Sequence, residues 1–376
     1  MVPAVATVSR LRRAMRNAGV RSVVPGALLT GLLSCAHAAG GREPPFLPAL
    51  PEPAVRFLGR FDVTDAEHPR FAWSGSTIAT HFAGKSLHVH LKDTGYDELQ
   101  VVVDGVPTRV LATNPSRDDY EIVAASDGAV HEVLLVKRTE ARMGELQFLG
   151  FDPPPSPGPS RPRASPHRLE LIGDSITAGY GDESSGVTCP VASLSFENEY
   201  ASYGAVASRS LGAEHVTIAW AGKTTEEMTK LFERTLPARA DSHWDFTRWT
   251  PEVVVVNLGT NDFNRGDPGQ ATFLRTYSAF LLRVRAIYPD AKIVCALGPM
   301  LTDSYPPGVH ALTHARAYIT LAVESMRASG DANVSFLEFP TQGAAEGRGC
   351  DYHPSKKTHA RMGEQLASAL REKLQW

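Results

Sequence analysis

An excess of charge of one sign is missing from this chain. Its 38 Lys and Arg stand against 41 Asp and Glu, a net charge of −3 over 376 residues, so nothing points to a nucleic-acid partner. Long hydrophobic runs are missing as well. The apolar stretch Val23–Leu33 is too short to span a bilayer alone. It follows a basic stretch with Arg10, Arg12, Arg13, Arg16 and Arg21, and together they read as an export signal over residues 1–38. Metal ligands are not grouped: His88 and His90 lie two apart with no third ligand nearby in sequence, so they read as solvent-facing strand residues. No cofactor or metal is expected.

Cysteine is scarce, with four residues. Cys35 closes Leu32-Leu33-Ser34-Cys35, which resembles a lipoprotein box, while Ala36-His37-Ala38 offers a conventional cleavage site. Lipid anchoring at Cys35 and free secretion both remain open. Cys295 sits inside the apolar run Lys292–Leu297 and reads as a buried thiol. Cys189 and Cys350, both in loops beside candidate site residues, are left for a disulfide, with two unpaired thiols as the alternative.

What is present divides the chain. Residues 39–53 form a Pro-rich tether. From residue 54 to 152 the period is two: Leu87, Val89 and Leu91 alternate with His88, His90 and Lys92, and Leu99, Val101 and Val103 lead into the turn pair Asp104-Gly105. Short alternating strands with no helical period predict an antiparallel sandwich. Residues 153–167 are Pro-rich and read as a semi-rigid linker. From 168 to 376 strands and helices alternate, with strands over Leu169–Ile172, His215–Ala219, Val253–Leu258, Lys292–Leu297 and Val334–Phe339. Helices are expected over Tyr200–Leu211, Thr225–Thr235, Thr272–Tyr288, Leu312–Arg327 and Ser355–Leu374. That alternation predicts a parallel sheet covered on both faces, a three-layer flavodoxin-like α/β domain.

Three stretches carry chemistry. Leu169–Ile172 runs into Gly173-Asp174-Ser175, which exposes a hydroxyl on a tight turn at a strand's carboxyl end. A serine is a weak nucleophile until a base takes its proton, and His353, just before the last helix, is the candidate. An oxyanion formed on attack needs fixed donors. The Ser175 N–H, the Gly222 N–H and the Asn261 side chain each follow one of the first three sheet strands. Asp262 reads as a brace of the same loop. Tyr352, beside the base, is a candidate for stacking on substrate, with Trp220, Trp244 and Trp249 as weaker candidates.

These blocks, Gly173-Asp174-Ser175, Gly222, Gly259-Thr260-Asn261-Asp262 and His353, resemble in order the four blocks of the SGNH (GDSL-type) hydrolases. Arg70–Ser76, Leu91–Gly95, Leu135–Glu140 and Gly349–Pro354 resemble carbohydrate esterase family 2, with its amino-terminal jelly roll. The likeness runs from about Val55 to the end. It implies a secreted or lipid-anchored serine esterase that deacetylates polysaccharide of the xylan or glucomannan type, and a monomer is expected. An SGNH lipase, arylesterase or thioesterase acting on envelope esters is the alternative. The resemblance makes Ser175 and His353 catalytic and completes the oxyanion hole with Gly222 and Asn261. One departure stands out. SGNH hydrolases mostly carry an orienting Asp three residues before the His, where this chain has Cys350. Asp351 is then the triad candidate, and a backbone carbonyl orienting a Ser–His dyad is the other option. Tyr352 stands where that family usually has Trp.

Overall fold

The computed structural model of the chain describes residues 55–374 apart from 125, 155–163 and 190–195. The export segment, Cys35, the tether and the centre of the Pro-rich linker lie outside the described residues.

The alternating region folds as nine strands: β1 (Val55–Leu58), β2 (Arg70–Phe71), β3 (Thr77–Ala83), β4 (Leu87–Asp93), β5 (Glu98–Val103), β6 (Val106–Ala112), β7 (Asp119–Val123), β8 (Val130–Lys137) and β9 (Leu146–Asp152). They form two antiparallel sheets, ordered β1-β3-β8-β5-β6 and β2-β9-β4-β7. In β4, Leu87, Val89 and Leu91 are buried while His88, His90 and Lys92 face outward. The inward residues of both sheets share one core, with Phe71, Ile78, Leu99, Val101, Leu135 and Leu146 at its centre. Asp104-Gly105 closes the β5–β6 hairpin with φ of +51° and +78°, the left-handed pair that a two-residue turn between twisted strands demands. His88 Nδ1 pairs with Asp119 at 2.8 Å.

The second half is a five-stranded parallel sheet: β10 (Arg168–Gly173), β11 (Glu214–Ala219), β12 (Val253–Asn257), β13 (Lys292–Leu297) and β14 (Val334–Glu338), ordered β11-β10-β12-β13-β14. The helices are α1 (Ser175–Ala178), α2 (Tyr203–Leu211), α3 (Thr225–Leu231), α4 (Gln270–Ile287), α5 (Ala311–Ala328) and α6 (Lys356–Leu374). Ile172, Val254, Val256, Ile293 and Cys295 bury one sheet face against α3, α4 and α5. Leu169, Leu171, Val253, Val255 and Val294 bury the other against α2 and α6. This is why β12 reads as unbroken valine. The first strand, β10, has neighbours on both sides, so the chain reverses direction across the sheet there. The crevice at the carboxyl ends of β10, β11 and β12 is where such sheets bind ligands.

Two helix limits differ from the sequence expectation by three residues or more. α2 starts at Tyr203 because the Ser202 side chain caps it by accepting from Ala205 N–H, with a 3₁₀ turn before it. α3 stops at Leu231 rather than Thr235. The carbonyls of Phe232 and Arg234 are taken by Arg60, and that of Arg234 also by the Trp73 indole N–H at 3.1 Å. Both donors come from the sandwich. Arg60, fully buried, also pairs with Glu170 of β10 at 2.9 Å and lies over the rings of Phe232, Trp244 and Phe246. The two halves are therefore joined by a buried charge as well as by apolar contact.

Candidate active site

β10 ends in Gly173, where a Cβ would meet the Thr177 hydroxyl at 2.0 Å. Only glycine lets the strand turn this tightly into α1. Asp174 caps that helix, its Oδ1 accepting from Ile176 N–H at 3.0 Å. Ser175 is the first residue of α1, so its hydroxyl stands at the helix start, at the carboxyl end of β10.

His353 arrives from the other end of the chain. A 3₁₀ turn over Cys350–Tyr352 holds Asp351 and Tyr352 at φ of +49° and +63°, and α6 begins three residues after the histidine. The turn brings His353 Nε2 to 2.7 Å from Ser175 Oγ. On the far side of the ring, Nδ1 is 2.9 Å from the carbonyl oxygen of Cys350. A carbonyl only accepts, so Nδ1 carries the proton and Nε2 is the acceptor for the serine hydroxyl. Burial pushes the His353 pKa below its ordinary value, opposed in part by the Cys350 carbonyl and by the charge of Asp351. The ring of Tyr180 meets the imidazole edge-on, with centroids 4.6 Å apart.

The turn is anchored covalently, since Cys189 and Cys350 form a disulfide. Cys295 is buried and unpaired, its thiol pushed up to about 12 by burial.

Asn261 follows β12 in a 3₁₀ turn. Its amide nitrogen lies 3.2 Å from Asp174 Oδ2 and 3.1 Å from the Lys223 carbonyl, and its oxygen accepts from Asn264. Asp262 accepts from the Thr225 N–H and hydroxyl, tying this loop to the start of α3. Gly222 sits in the turn Trp220-Ala221-Gly222-Lys223, closed by Lys223 N–H to the Trp220 carbonyl at 3.3 Å. Its φ is +78°, and a Cβ there would have no atom within 4 Å, so its backbone faces open space. Asp174 is wholly buried, and desolvation lifts its carboxyl to about 7.

Ser175, Gly222, Asn261 and His353 line one cleft of about 340 Å³, together with Arg142, Tyr180, Ala221 and Asp351. A second, polar cavity of about 440 Å³ adjoins it through Gly222 and Asn261. Two expected roles change. Asp351 lines the cleft, but its carboxylate accepts from the Tyr180 hydroxyl at 2.8 Å, and the Cys350 carbonyl takes the place a triad carboxylate would have. Both ring nitrogens of His353 are engaged elsewhere, by Ser175 Oγ and by the Cys350 carbonyl. Tyr352, 57% exposed, is not among the residues lining the cleft; Arg348 lies 5.8 Å from its ring. Trp244 is buried, while Trp220 and Trp249 pack against the apolar core.

Sequence reasoning missed Tyr180, Arg142, Glu140 and Glu197. Arg142 and Glu140 belong to the sandwich, in the loop between β8 and β9. The Arg142 guanidinium is held by Glu140 and, at 2.7 Å, by Glu197, and lies over the Tyr180 ring. Burial and the neighbouring Glu140 raise the Glu197 carboxyl to about 8. No linear signal places a sandwich loop against a distant catalytic turn. Only Tyr180, five residues after the nucleophile, was within reach of local reasoning.

An imidazole in contact with a serine hydroxyl, its tautomer set, at the reversal point of a parallel sheet, is the equipment of a serine acyl hydrolase. Comparison with known proteins narrows this. Residues 57–157 match the model described as carbohydrate esterase 2 N-terminal, and residues 171–361 match the GDSL-like lipase/acylhydrolase family. A solved family two carbohydrate esterase from Clostridium thermocellum, in complex with cellohexaose, is 36% identical, with a TM-score of 0.79 over 86% of this chain and 99% of that one. Cellulase/esterase CelE of Acetivibrio thermocellus is 37% identical over 86% of this chain, which spans only 40% of that relative's length. An acetylxylan esterase / glucomannan deacetylase of Cellvibrio japonicus is 24% identical over 95% of this chain and all of its own. The chain belongs to the GDSL-like lipase/acylhydrolase family and to carbohydrate esterase family 2.

Proposed function

We propose that the protein removes O-acetyl groups from a polysaccharide of the xylan or glucomannan type through an acetyl-Ser175 intermediate. The observation that carries the chemistry is the 2.7 Å contact between His353 Nε2 and Ser175 Oγ. As Ser175 Oγ attacks the acetyl carbonyl, Nε2 takes the hydroxyl proton. The imidazolium so formed keeps its Nδ1–H on the Cys350 carbonyl. Nε2 then returns the proton to the departing sugar oxygen. A water then attacks the acetyl carbon, losing a proton to the same nitrogen, which passes it to Ser175 Oγ as the acyl–oxygen bond breaks and acetate leaves.

The oxyanion is met by the N–H groups of Ser175 and Gly222 and by the Asn261 amide. Without substrate, Asn261 donates to Asp174 at 3.2 Å and to the Lys223 carbonyl at 3.1 Å. A developing oxyanion outcompetes a neutral carbonyl, because charge-assisted hydrogen bonds are about twice as strong. The sugar class rests on the relatives named acetylxylan esterase / glucomannan deacetylase and on the family two esterase bound to cellohexaose. Export belongs to the same reading and is supported by the Cys189–Cys350 disulfide. Free secretion or a lipid anchor at Cys35, and a monomeric state, are further parts of it.

The test is acetate release from acetylated xylan and glucomannan, beside p-nitrophenyl esters from acetate to octanoate. Release from polysaccharide with acetate-dominated ester hydrolysis is expected. Activity that peaks on long acyl chains and spares the polysaccharides would replace this reading with a lipase or arylesterase.

A further inference from the structure

The loop between β8 and β9 brings a carboxylate of the sandwich to the oxyanion side of the cleft. Glu140 is fully buried. Its Oε2 accepts from the Ala221 N–H at 2.6 Å, and Oε1 accepts from Arg142 Nε. Its own N–H donates to Glu197 Oε2 at 3.0 Å, and the second oxygen of Glu197 holds the far end of the same guanidinium. The loop is thus braced from both sides before it touches the catalytic half.

Ala221 precedes Gly222 in a four-residue turn closed by Lys223 N–H on the Trp220 carbonyl, with Gly222 at φ +78° in its third position. Positive φ at that position marks a type II turn. The type I alternative differs mainly by a flip of the central peptide, the one that carries the Gly222 N–H. With a glycine in the turn, that flip meets little steric resistance. The bond from Ala221 N–H to Glu140 holds the peptide just before it, so the central peptide has a fixed neighbour to pivot against.

We infer that Glu140 is a positioning residue for the oxyanion hole: by holding the Ala221 N–H, it keeps the Gly222 N–H aimed at the reacting carbonyl. The sandwich thereby takes part in catalysis rather than only in joining or binding. This inference rests on the esterase reading of Ser175 and His353, and adds a residue from outside the SGNH blocks.

Two variants of the full chain separate the hydrogen bond from the charge. Glu140→Asp keeps the charge facing Arg142 but withdraws the acceptor by one methylene. Glu140→Gln keeps the reach and an acceptor oxygen but loses the charge. p-Nitrophenyl acetate turnover is read with KM, melting temperature and the rate of inactivation by diethyl p-nitrophenyl phosphate, whose tetrahedral adduct uses the same donors. We expect Glu140→Asp to lose about tenfold or more in kcat and in inactivation rate, with KM little changed, and Glu140→Gln to stay near wild type. The opposite order, or two variants at wild-type rates, overturns the proposal. If Glu140→Asp does not fold, Glu140→Ala takes its place beside Glu140→Gln: a loss of about tenfold in kcat confined to Glu140→Ala supports the assignment, and equal rates in the two overturn it. Wild type that hydrolyses p-nitrophenyl acetate yet releases no acetate from polysaccharide would remove the proposed substrate and leave the role of Glu140 standing.

Discussion

The Cys350 carbonyl oxygen lies 2.9 Å from His353 Nδ1, and the two residues are three apart in one tight turn. A backbone group therefore stands where a third side chain stands in a triad and holds the Nδ1–H tautomer; in the proposed mechanism it also steadies the imidazolium. The side chain of Asp351, between them, acts on the ring through its charge, because its carboxylate is bound to Tyr180.

Asp351→Ala is expected to keep most of its turnover, in contrast to the roughly 10⁴-fold loss when a true triad carboxylate is neutralised. His353→Ala should lose nearly all. Steady-state kinetics on p-nitrophenyl acetate separates the two, and comparable losses in both would restore a catalytic Asp351.

The acid limb of kcat/KM follows from the same geometry. In the proposed mechanism neutral imidazole is the base, and burial sets its pKa below the ordinary value of 6.5. Activity should persist as pH falls past 6.5 and decline only through the depressed pKa, because protonated Nε2 cannot accept the serine proton. Removing the Asp351 charge, which raises this pKa, should move the limb further to acid. A limb centred at or above 6.5 in wild type would contradict the burial argument.

Asn261→Ala removes one oxyanion donor and is expected to lower kcat by roughly 10²–10³-fold. The melting temperature should change little, because the amide is only partly buried. Turnover at wild-type level would mean that the donors are elsewhere.

The disulfide should matter to rate as well as to stability. It closes 161 residues of chain and ends on Cys350 itself, the residue whose carbonyl orients the base. Cys189→Ser is expected to lower both the melting temperature and kcat, with the stability loss about 2–4 kcal/mol. Equal kcat with and without the bridge would show that the turn holds its shape unaided.

Arg60→Ala strips the partner from a buried carboxylate in β10. With Glu170 only 1% exposed, the loss should be about 3–5 kcal/mol, read by urea unfolding. A negligible change would mean that the joint between the halves is apolar in its energetics.

Much of this protein was legible in its residue order. Alternation at period two marked the sandwich, and four valines in a row marked a strand covered on both faces. Glycine before Asp-Ser marked a tight turn at a strand's end, and the order of the blocks pointed to Ser175, Asn261 and His353. These are local facts of backbone geometry and burial, written within a few residues. The tertiary structure alone decided the rest. It bonded Asp351 to Tyr180, left Tyr352 outside the cleft, stopped α3 early at carbonyls claimed by Arg60 and Trp73, and brought Arg142 from the sandwich to the cleft and Glu140 to the Ala221 N–H beside it. Each of those outcomes depends on which distant groups meet, and spacing along a chain does not encode the distance between surfaces that pack only after both halves have folded.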